Sequence, residues 1–296
     1  MKKFQITDFI NDLAKKVRSI TSDEDSARQH AWWLLEALTA QKEIQLYAKK
    51  EIVLSDTQVE QLNKWIKELT IDFKPLQYVL GYVDFLGLKI NVQPPILIPR
   101  PETEEWCQWL ISQLINLKDE KLEILDLCTG SGCIALAFAK NFPNSNVIAS
   151  DISEKALELC KINKEENKIK NVTFILSDLF GKLPENKKYD LIISNPPYID
   201  PEDWQNLQPQ VKLWEDKIAL VAPDHRLEII KKIAHGAREF IKENSILKKY
   251  NLPQFAMEIG YNQANEVTKI LHNNKWKNII IKKDNEDLDR LAIAKI

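Results

Sequence analysis

The sequence predicts an α/β protein built on a mostly parallel sheet, preceded by a small helical bundle and a β-hairpin linker. From about residue 101 onward, short apolar runs alternate with helical stretches, as in sheets covered by helices on both faces. Residues 1–72 contain neither glycine nor proline, and their apolar residues recur at helical spacing. Residues 73–100 mix glycine and proline with aromatic and β-branched residues, which favours short strands.

The N-terminal 72 residues are predicted to be helical throughout. The first helix is indicated by six apolar residues at helical spacing: Phe4, Phe9, Ile10, Leu13, Val17 and Ile20. Capping residues at 21–23 precede a second helix that carries Trp32 and Trp33. A third helix is expected after Ser55, which forms a capping-box pattern with Gln58.

Strands and helices then alternate to the end of the chain. Strands are predicted at 122–127, 146–150, 172–176, 191–194, 255–259, 278–281 and 291–294. Helices are predicted at 133–140, 154–166, 227–242 and 263–273. The linker 73–100 is expected to form a hairpin between the two parts of the chain.

Composition narrows the class of protein. The chain has 296 residues and a formal net charge of −2, which argues against tight, non-specific binding to nucleic acid. No apolar run approaches the ~18 residues that a membrane span needs, and the first residues lack the apolar core of a signal peptide. We therefore expect a cytosolic protein. Its four cysteines and four histidines show no metal-binding spacing, so neither a metal site nor a disulfide is expected.

A glycine-rich turn follows the first strand of the alternating region. The chain has only 7 glycines, and two of them lie within three positions of each other. Such a turn lets the backbone and the N-terminus of the next helix approach a ligand. The third glycine of the dinucleotide pattern is missing, and no Walker lysine follows. The candidate ligand-binding residues are Asp126, Cys128, Thr129, Gly130, Ser131 and Gly132; the alternative is a plain tight turn.

Acidic residues follow the next two strands. Asp151 lies about 19 residues after the turn, where a carboxylate can accept hydrogen bonds from both ribose hydroxyls. The alternative is a helix cap for the helix that starts near Ser153. Asp178 could accept from an adenine amino group, with Leu179 and Phe180 lining the adenine slot; the alternative there is a surface turn.

The most specific motif is Asn195-Pro196-Pro197-Tyr198, directly after the apolar strand 191–194. The prolines fix φ and remove two N–H donors, so nearby carbonyls stay available as acceptors. The Asn195 amide oxygen and the Pro196 carbonyl can together accept both hydrogens of a substrate –NH2 group. The Tyr198 ring can pack on the planar group that carries this nitrogen. The alternative is a proline-stiffened loop with a core tyrosine.

Together these motifs resemble the Rossmann-like methyltransferases that use S-adenosylmethionine and act on planar nitrogens. Three further segments resemble the linker of the release factor glutamine methyltransferases, the PrmC/HemK family: Pro-Leu-Gln-Tyr-Val-Leu-Gly at 75–81, Phe-Leu-Gly at 85–87 and Ile-Leu-Ile-Pro-Arg-Pro-Glu-Thr-Glu at 96–104. The resemblance covers essentially the whole chain.

The resemblance implies a domain plan and a reaction. It implies a release-factor docking domain at 1–72, a hairpin linker at 73–100 and a methyltransferase domain with a seven-stranded sheet at 101–296. The cofactor would be S-adenosylmethionine, leaving S-adenosylhomocysteine, and the substrate would be the glutamine of the Gly-Gly-Gln motif in class 1 peptide chain release factors. It assigns cofactor binding to 128–132, Asp151, Asp178, Leu179 and Asn195, and substrate binding to residues 195–198. We also expect a cytoplasmic monomer that does not contact nucleic acid directly.

The sequence departs from the family pattern in places. Cys128 stands where glycine is commoner, Leu179 where some members carry an aromatic residue, and 221–225 replaces a usual Gly-Gly-x-Asp-Gly segment. Arg100 is one of six arginines, and we interpret it as a residue that docks a loop or clamps the linker.

Three other functions stay open at this point. The chain could be a glutamine methyltransferase of a ribosomal protein, since only family resemblance separates that substrate from a release factor. It could be a DNA adenine amino methyltransferase that uses the same tetrapeptide. It could also bind the cofactor without catalysis.

Overall fold

The computed structural model describes residues 1–222 and 226–296, and their packing separates into two units. The first unit comprises Met1–Gly81 together with Gln208–Trp214, and the second comprises Tyr82–Leu207 and Glu215–Ile296. Part of the 221–225 segment, which departs from the family pattern, lies outside the described residues. Among the described residues, no helix combines the length and the apolar character needed to cross a bilayer.

The first unit is mainly helical. Its elements are β1 (Lys2–Gln5), α1 (Ile6–Val17), α2 (Glu24–Thr39), α3 (Glu43–Lys49), β2 (Glu51–Leu54), α4 (Asp56–Thr70), α5 (Leu76–Leu80) and, from the second stretch, α9 (Pro209–Trp214). The capping box of Ser55 and Gln58 is present at the start of α4. The expectation of helix for residues 1–72 was wrong at two places, β1 and β2. Phe4 lies in β1, which pairs with β2 in antiparallel register and faces Ile52.

The second unit contains the remaining elements. The linker hairpin is β3 (Tyr82–Phe85) and β4 (Leu88–Asn91). The strands that follow are β5 (Glu123–Leu127), β6 (Asn146–Asp151), β7 (Val172–Leu176), β8 (Leu191–Ser194), β9 (Phe255–Glu258), β10 (Lys277–Lys283) and β11 (Asp289–Lys295). The helices are α6 (Pro101–Leu114), α7 (Cys133–Asn141), α8 (Glu154–Glu166), α10 (Lys217–Leu220), α11 (Glu228–Phe240), α12 (Ile246–Lys249) and α13 (Ala264–Asn273).

Within the described residues, seven strands form one sheet in the order β10-β11-β9-β8-β5-β6-β7. The pairs from β9 to β7 are parallel, and β11 alone runs antiparallel to both of its neighbours. The prediction of a seven-stranded, mostly parallel sheet is confirmed. Strand β5 lies between β6 and β8, with Leu125 opposite Ile148 on one side and Ile192 on the other. All three side chains are buried, as expected for a sheet covered on both faces.

The predicted hairpin is also confirmed. Leu86 and Gly87, between β3 and β4, both have positive φ, at 49° and 70°. Two-residue hairpin turns of this kind match the twist of the strands. Asn163 of α8 fixes the hairpin, because its side chain accepts from the Asn91 backbone N–H at 2.7 Å and donates to the Asn91 carbonyl at 3.1 Å.

Helix α11 packs closely against Phe180, in the segment after β7, because of one glycine. A Cβ built on Gly236 would lie 2.5 Å from two ring carbons of Phe180. The Phe180 ring is itself stacked on Phe240, with ring centroids 5.0 Å apart. The glycine is therefore required by packing, although its backbone conformation is ordinary helix.

We expect Gly236→Ala to lower the free energy of unfolding by about 1–3 kcal/mol through overpacking, although alanine is the better helix former. Urea denaturation of the purified chain measures this. A Gly236→Ala/Phe180→Leu double variant is the matched control and should regain part of the loss. A single variant as stable as wild type would contradict the packing argument.

Candidate active site

The carboxyl ends of β5, β6 and β8, together with the residues just after β7, meet at one edge of the sheet, and a cavity of about 300 Å³ lies there. Ligands in open α/β sheets bind outside the carboxyl ends of parallel strands. Seven predicted site residues line this cavity: Cys128, Gly130, Asp151, Asp178, Leu179, Asn195 and Pro197. Residues 95–97, 216, 218, 219 and 221 complete part of its wall, and sequence reasoning did not find them.

The glycine-rich turn requires left-handed backbone at three positions. Cys128, Gly130 and Gly132 have φ of 58°, 55° and 82°. A Cβ on Gly132 would lie 2.9 Å from Cys160 Sγ, whereas one on Gly130 would meet no atom of the described residues within 4 Å. Cys128 adopts this conformation without being glycine, and burial raises the pKa of its thiol well above the ordinary value. Its thiol is therefore protonated and unreactive at neutral pH.

Asp126 lies beneath the turn and does not line the cavity, contrary to its predicted direct contact with a ligand. Its side chain is buried, and Oδ2 accepts from the Thr129 hydroxyl at 2.6 Å. Burial raises the pKa of Asp126 to about 7, and the nearby Asp151 adds to the rise. Asp126 Oδ1 has no hydrogen-bond partner in the described part of the chain. Thr129, Ser131 and Gly132 also lie in the turn and away from the cavity wall.

Asp151 ends β6 on the cavity wall. Its Oδ2 accepts from the Gly130 backbone N–H at 2.8 Å, and its Oδ1 accepts from the Ser153 backbone N–H at 2.9 Å. The carboxylate therefore ties the glycine-rich turn to the neighbouring strand. Burial raises its pKa, while these backbone donors oppose the rise. A carboxylate has about four acceptor positions, so further hydroxyl groups can still bind it. The Asp151 side chain does not cap α8, because the Ala156 N–H donates to Ser153 Oγ instead.

The segment after β7 only partly follows the prediction. Asp178 and Leu179 line the cavity, and Leu179 has φ of 46°. Phe180 does not: its ring stacks on Phe240 away from the cavity. Ile152, which directly follows Asp151 and is exposed, lines the cavity. An apolar surface for a flat ring is thus supplied by Ile152 and Leu179.

The Asn-Pro-Pro-Tyr segment contributes alternate residues to the cavity. Asn195 and Pro197 line it, while Pro196 is buried. The hydroxyl of Tyr198 donates to Glu258 Oε1 at 3.0 Å, and its carbonyl accepts from Gln263 Nε2 at 2.9 Å. Tyr198 packs against the main core cluster. The expectation that its ring lies on the substrate group is not supported by this placement, because the ring is held beneath the loop.

Glu258 connects this loop to α6, and sequence analysis did not single it out. It ends β9 with 1% of its surface exposed. Its Oε2 accepts from Thr103 Oγ1 at 2.6 Å and from Trp106 Nε1 at 2.7 Å. Asn195 Nδ2 in turn donates to Thr103 Oγ1 at 3.1 Å. Burial raises the pKa of Glu258, and its hydrogen-bond donors oppose the rise.

The Pro-Arg-Pro-Glu-Thr-Glu run at 99–104 fixes three other segments. Arg100 Nη2 pairs with Glu215 Oε2 at 2.5 Å, and the Glu215 side chain is 1% exposed. This pair holds the segment before α10, whose Asp216 N–H also donates to the Pro95 carbonyl at 2.8 Å. Glu104 accepts from the Leu86 N–H in the hairpin at 2.7 Å, and Thr103 binds Glu258. Arg100 therefore docks a loop that lines the cavity, as interpreted from the sequence.

A glycine-rich turn after β5, a carboxylate ending β6 and an Asn-Pro-Pro-Tyr segment after β8 define a methyltransferase that uses S-adenosylmethionine. The comparisons with known proteins agree. Residues 105–244 match the methyltransferase small domain, and residues 12–81 match the PrmC N-terminal domain.

Curated relatives identify the family. A release factor glutamine methyltransferase of Coxiella burnetii is 34% identical over 97% of this chain and 98% of its own length. One of Flavobacterium psychrophilum is 33% identical over 96% and 95%. One of Fusobacterium nucleatum is 45% identical over 75% of this chain, a match that spans 60% of that relative. The chain belongs to the release factor glutamine methyltransferase family.

Solved structures support the fold. The hMettl16 catalytic domain in complex with MAT2A 3′UTR hairpin 1 superposes with a TM-score of 0.52. The match covers 81% of this chain and 80% of that chain at 15% sequence identity. A likeness at this identity concerns the fold and not the substrate.

The residues present fit S-adenosylmethionine. Asp151 has acceptor positions left for ribose hydroxyls, and Ile152 and Leu179 offer apolar surface to a base. The described residues hold no group of three or more His, Cys, Asp or Glu side chains that could bind a metal.

The two glycines of the turn should respond differently to substitution. Gly130→Ala should lower the free energy of unfolding by about 1–2 kcal/mol, because alanine is strained in the left-handed backbone conformation. Gly132→Ala meets that strain and the contact with Cys160, so its loss in free energy of unfolding should be larger by ~1 kcal/mol or more. Urea denaturation compares the stabilities, and calorimetry compares S-adenosylmethionine binding. Equal stability of the two variants would contradict the close approach of Gly132 to Cys160.

Asp126 should make stability depend on pH. Because its pKa is higher in the folded chain than in the unfolded chain, the folded state binds more protons between about pH 4 and pH 7. Its contribution is thus most favourable below pH 4 and declines as pH rises to 7, by up to ~1.4 kcal/mol per pH unit. Asp126→Asn, which can still accept from Thr129, should lack this decline. Parallel stability curves for the two chains across this range would refute the assignment.

Proposed function

We propose that this chain transfers a methyl group from S-adenosylmethionine to the side-chain amide nitrogen of the glutamine in the Gly-Gly-Gln motif of class 1 peptide chain release factors. One observation carries the proposal. Asn195 and Pro197 line the same cavity as Cys128 and Gly130 of the cofactor turn. The register of the sheet causes this proximity, because Leu127 at the end of β5 is paired with Ser194 at the end of β8.

The loop offers acceptors to a substrate –NH2 group. The Asn195 amide donates its Nδ2 end to Thr103, so Oδ1 lies at the opposite end of the amide. Oδ1 and the Pro196 carbonyl would each accept one hydrogen of the glutamine amide. Pro197 stiffens the loop, and Tyr198 holds it from beneath through Glu258 and Gln263.

Cys128, Gly130, Asp151, Asp178 and Leu179 would hold the cofactor, and Asp126 would act through the turn above it. Bound there, S-adenosylmethionine supplies a methyl group on a positively charged sulfur. The amide nitrogen is a weak nucleophile because its lone pair is delocalised, so the chain's contribution is to orient it. Transfer forms an N–C bond as the S–C bond breaks, and the nitrogen then loses a proton to water.

The partner and setting are also part of the proposal. The helical unit, which contains the segment that matches the PrmC N-terminal domain, would dock the release factor. We propose a cytoplasmic monomer without direct contact to nucleic acid, which the net charge of −2 favours. The same charge disfavours a DNA adenine methyltransferase, and the complete Asn195–Tyr198 segment disfavours a protein that only binds the cofactor.

Radiolabelled methyl transfer tests the substrate. Purified wild-type enzyme is given a class 1 release factor, a ribosomal protein, or duplex DNA. We expect label on the release factor alone, and none on a release factor whose Gly-Gly-Gln glutamine is replaced by alanine. Label on the ribosomal protein or on adenine instead would replace the proposed substrate.

Asn195→Ala tests the site. We expect it to reduce methyl transfer to the release factor by at least ~100-fold, since it removes an acceptor that orients the nucleophile, while S-adenosylmethionine binds within a few fold of wild type. Asn141→Ala is the matched control. Within residues 1–222 and 226–296, the Asn141 side chain donates only to the Ala137 carbonyl on the adjacent helical turn, and the variant should keep wild-type turnover. An Asn195→Ala enzyme with near-native turnover would remove Asn195 from the mechanism.

A further inference from the structure

Four polar side chains form a connected chain of hydrogen bonds that ends on Asn195. Trp106 and Thr103 of α6 both donate to Glu258 Oε2, at 2.7 and 2.6 Å. Thr103 Oγ1 lies 3.1 Å from Asn195 Nδ2. Trp106, Thr103 and Glu258 are each no more than 2% exposed, so water does not compete for these bonds.

The direction of each bond follows from chemistry. An indole N–H can only donate, so Trp106 fixes Glu258 Oε2 as an acceptor. A hydroxyl has a single hydrogen, and Thr103 gives its hydrogen to that oxygen. Towards its other neighbour Thr103 can therefore only accept, and only the NH2 end of the Asn195 amide satisfies it. A reversed Asn195 amide would place two acceptors against each other at the buried Thr103 side chain.

We infer that Thr103 and Glu258 are positioning residues that fix which end of the Asn195 amide faces the substrate. Neither touches the reacting atoms. They hold Nδ2 of Asn195 in a hydrogen bond to Thr103, so that Oδ1 is the atom available to accept from a substrate –NH2 group. The inference rests on the proposed function for its catalytic consequence, but the orientation of the Asn195 amide is a property of the chain alone.

Glu258 could instead stabilise the transition state through its charge, or it could only support the fold. Each of these roles predicts a different response to substitution. If its negative charge stabilised the transition state, removing the charge would suffice to lose activity. Arg290 lies near Glu258 and Tyr198 and also pairs with Asp284 at 3.0 Å, so its positive charge is shared between two carboxylates. If Glu258 only supported the fold, its loss would appear in stability and in cofactor binding alike. The positioning role needs an acceptor at the place of Oε2, and a neutral amide oxygen can supply it.

Three variants separate these roles. Thr103→Val removes the acceptor of Asn195 Nδ2 at nearly constant volume, whereas Thr103→Ser keeps it. Glu258→Gln removes the charge, yet its Oε1 can take the place of Oε2 beside Trp106 while its Nε2 faces the Tyr198 oxygen. We expect kcat for release-factor methylation to fall about tenfold in Thr103→Val and to stay within about threefold in the other two. S-adenosylmethionine binding should stay within about twofold in all three.

A second measurement does not depend on turnover. In ¹⁵N-labelled protein, NMR measures how fast the side-chain NH2 group of Asn195 exchanges its hydrogens with solvent, and the Asn195→Ala variant assigns its signal. We expect slow exchange in wild type, Thr103→Ser and Glu258→Gln, and faster exchange in Thr103→Val. Three results for Thr103→Val would each overturn the inference. They are a wild-type kcat, a loss of S-adenosylmethionine binding in place of a loss of kcat, and an Asn195 amide that exchanges as slowly as in wild type. A wild-type enzyme that does not methylate the release factor would refute the proposed function. The hydrogen-exchange measurement would still test the orientation of the Asn195 amide, because it does not depend on turnover.

Discussion

The parallel pairing of β5 with both β6 and β8 is the constraint on which the site depends. It brings the turn after β5, Asp151 at the end of β6 and Asn195 after β8 to one edge of the sheet, although they are far apart in sequence. A side chain of each neighbouring strand adds a further bond: Asp151 accepts from the Gly130 N–H in the turn after β5, and Ser194 Oγ donates to the Leu127 carbonyl of β5 at 2.9 Å. The cavity is therefore a consequence of strand register.

Helix α6 and the segment before it give this edge its rigidity. Their polar residues bind the hairpin, the segment before α10 and the end of β9, through Glu104, Arg100 and Thr103 respectively. Buried carboxylates are costly unless each oxygen is bonded, and Glu258 is bonded on both oxygens. A network that is satisfied only in one arrangement specifies that arrangement, which suits a site whose chemistry depends on orientation.

Much of the fold could be predicted from the sequence because its signals are local. The strands at 172–176 and 191–194 and the helix at 154–166 coincide with the structure. The β1–β2 pair was missed because four-residue strands carry little periodicity and Phe4 fits a helical pattern equally well. In the candidate site, Asp151 and Asn195 were predicted from their position at strand ends, and both line the cavity. Thr103 and Glu258 were not, since they are 155 residues apart and only tertiary packing joins them. Asp126 and Phe180 were placed in the cavity because sequence does not tell which way a side chain turns.

The helical unit is not a continuous stretch of chain. It includes Gln208–Trp214, which follows the Asn-Pro-Pro-Tyr loop. Within the unit, the Trp214 indole donates to the Asp72 carbonyl at 2.9 Å, and Lys74 lies over the Trp214 ring. A fragment that stops at residue 81 would lose these contacts. A chimera that exchanges residues 1–81 between homologues would combine an N-terminal segment from one relative with a 208–214 segment from another, so the two segments should be exchanged together.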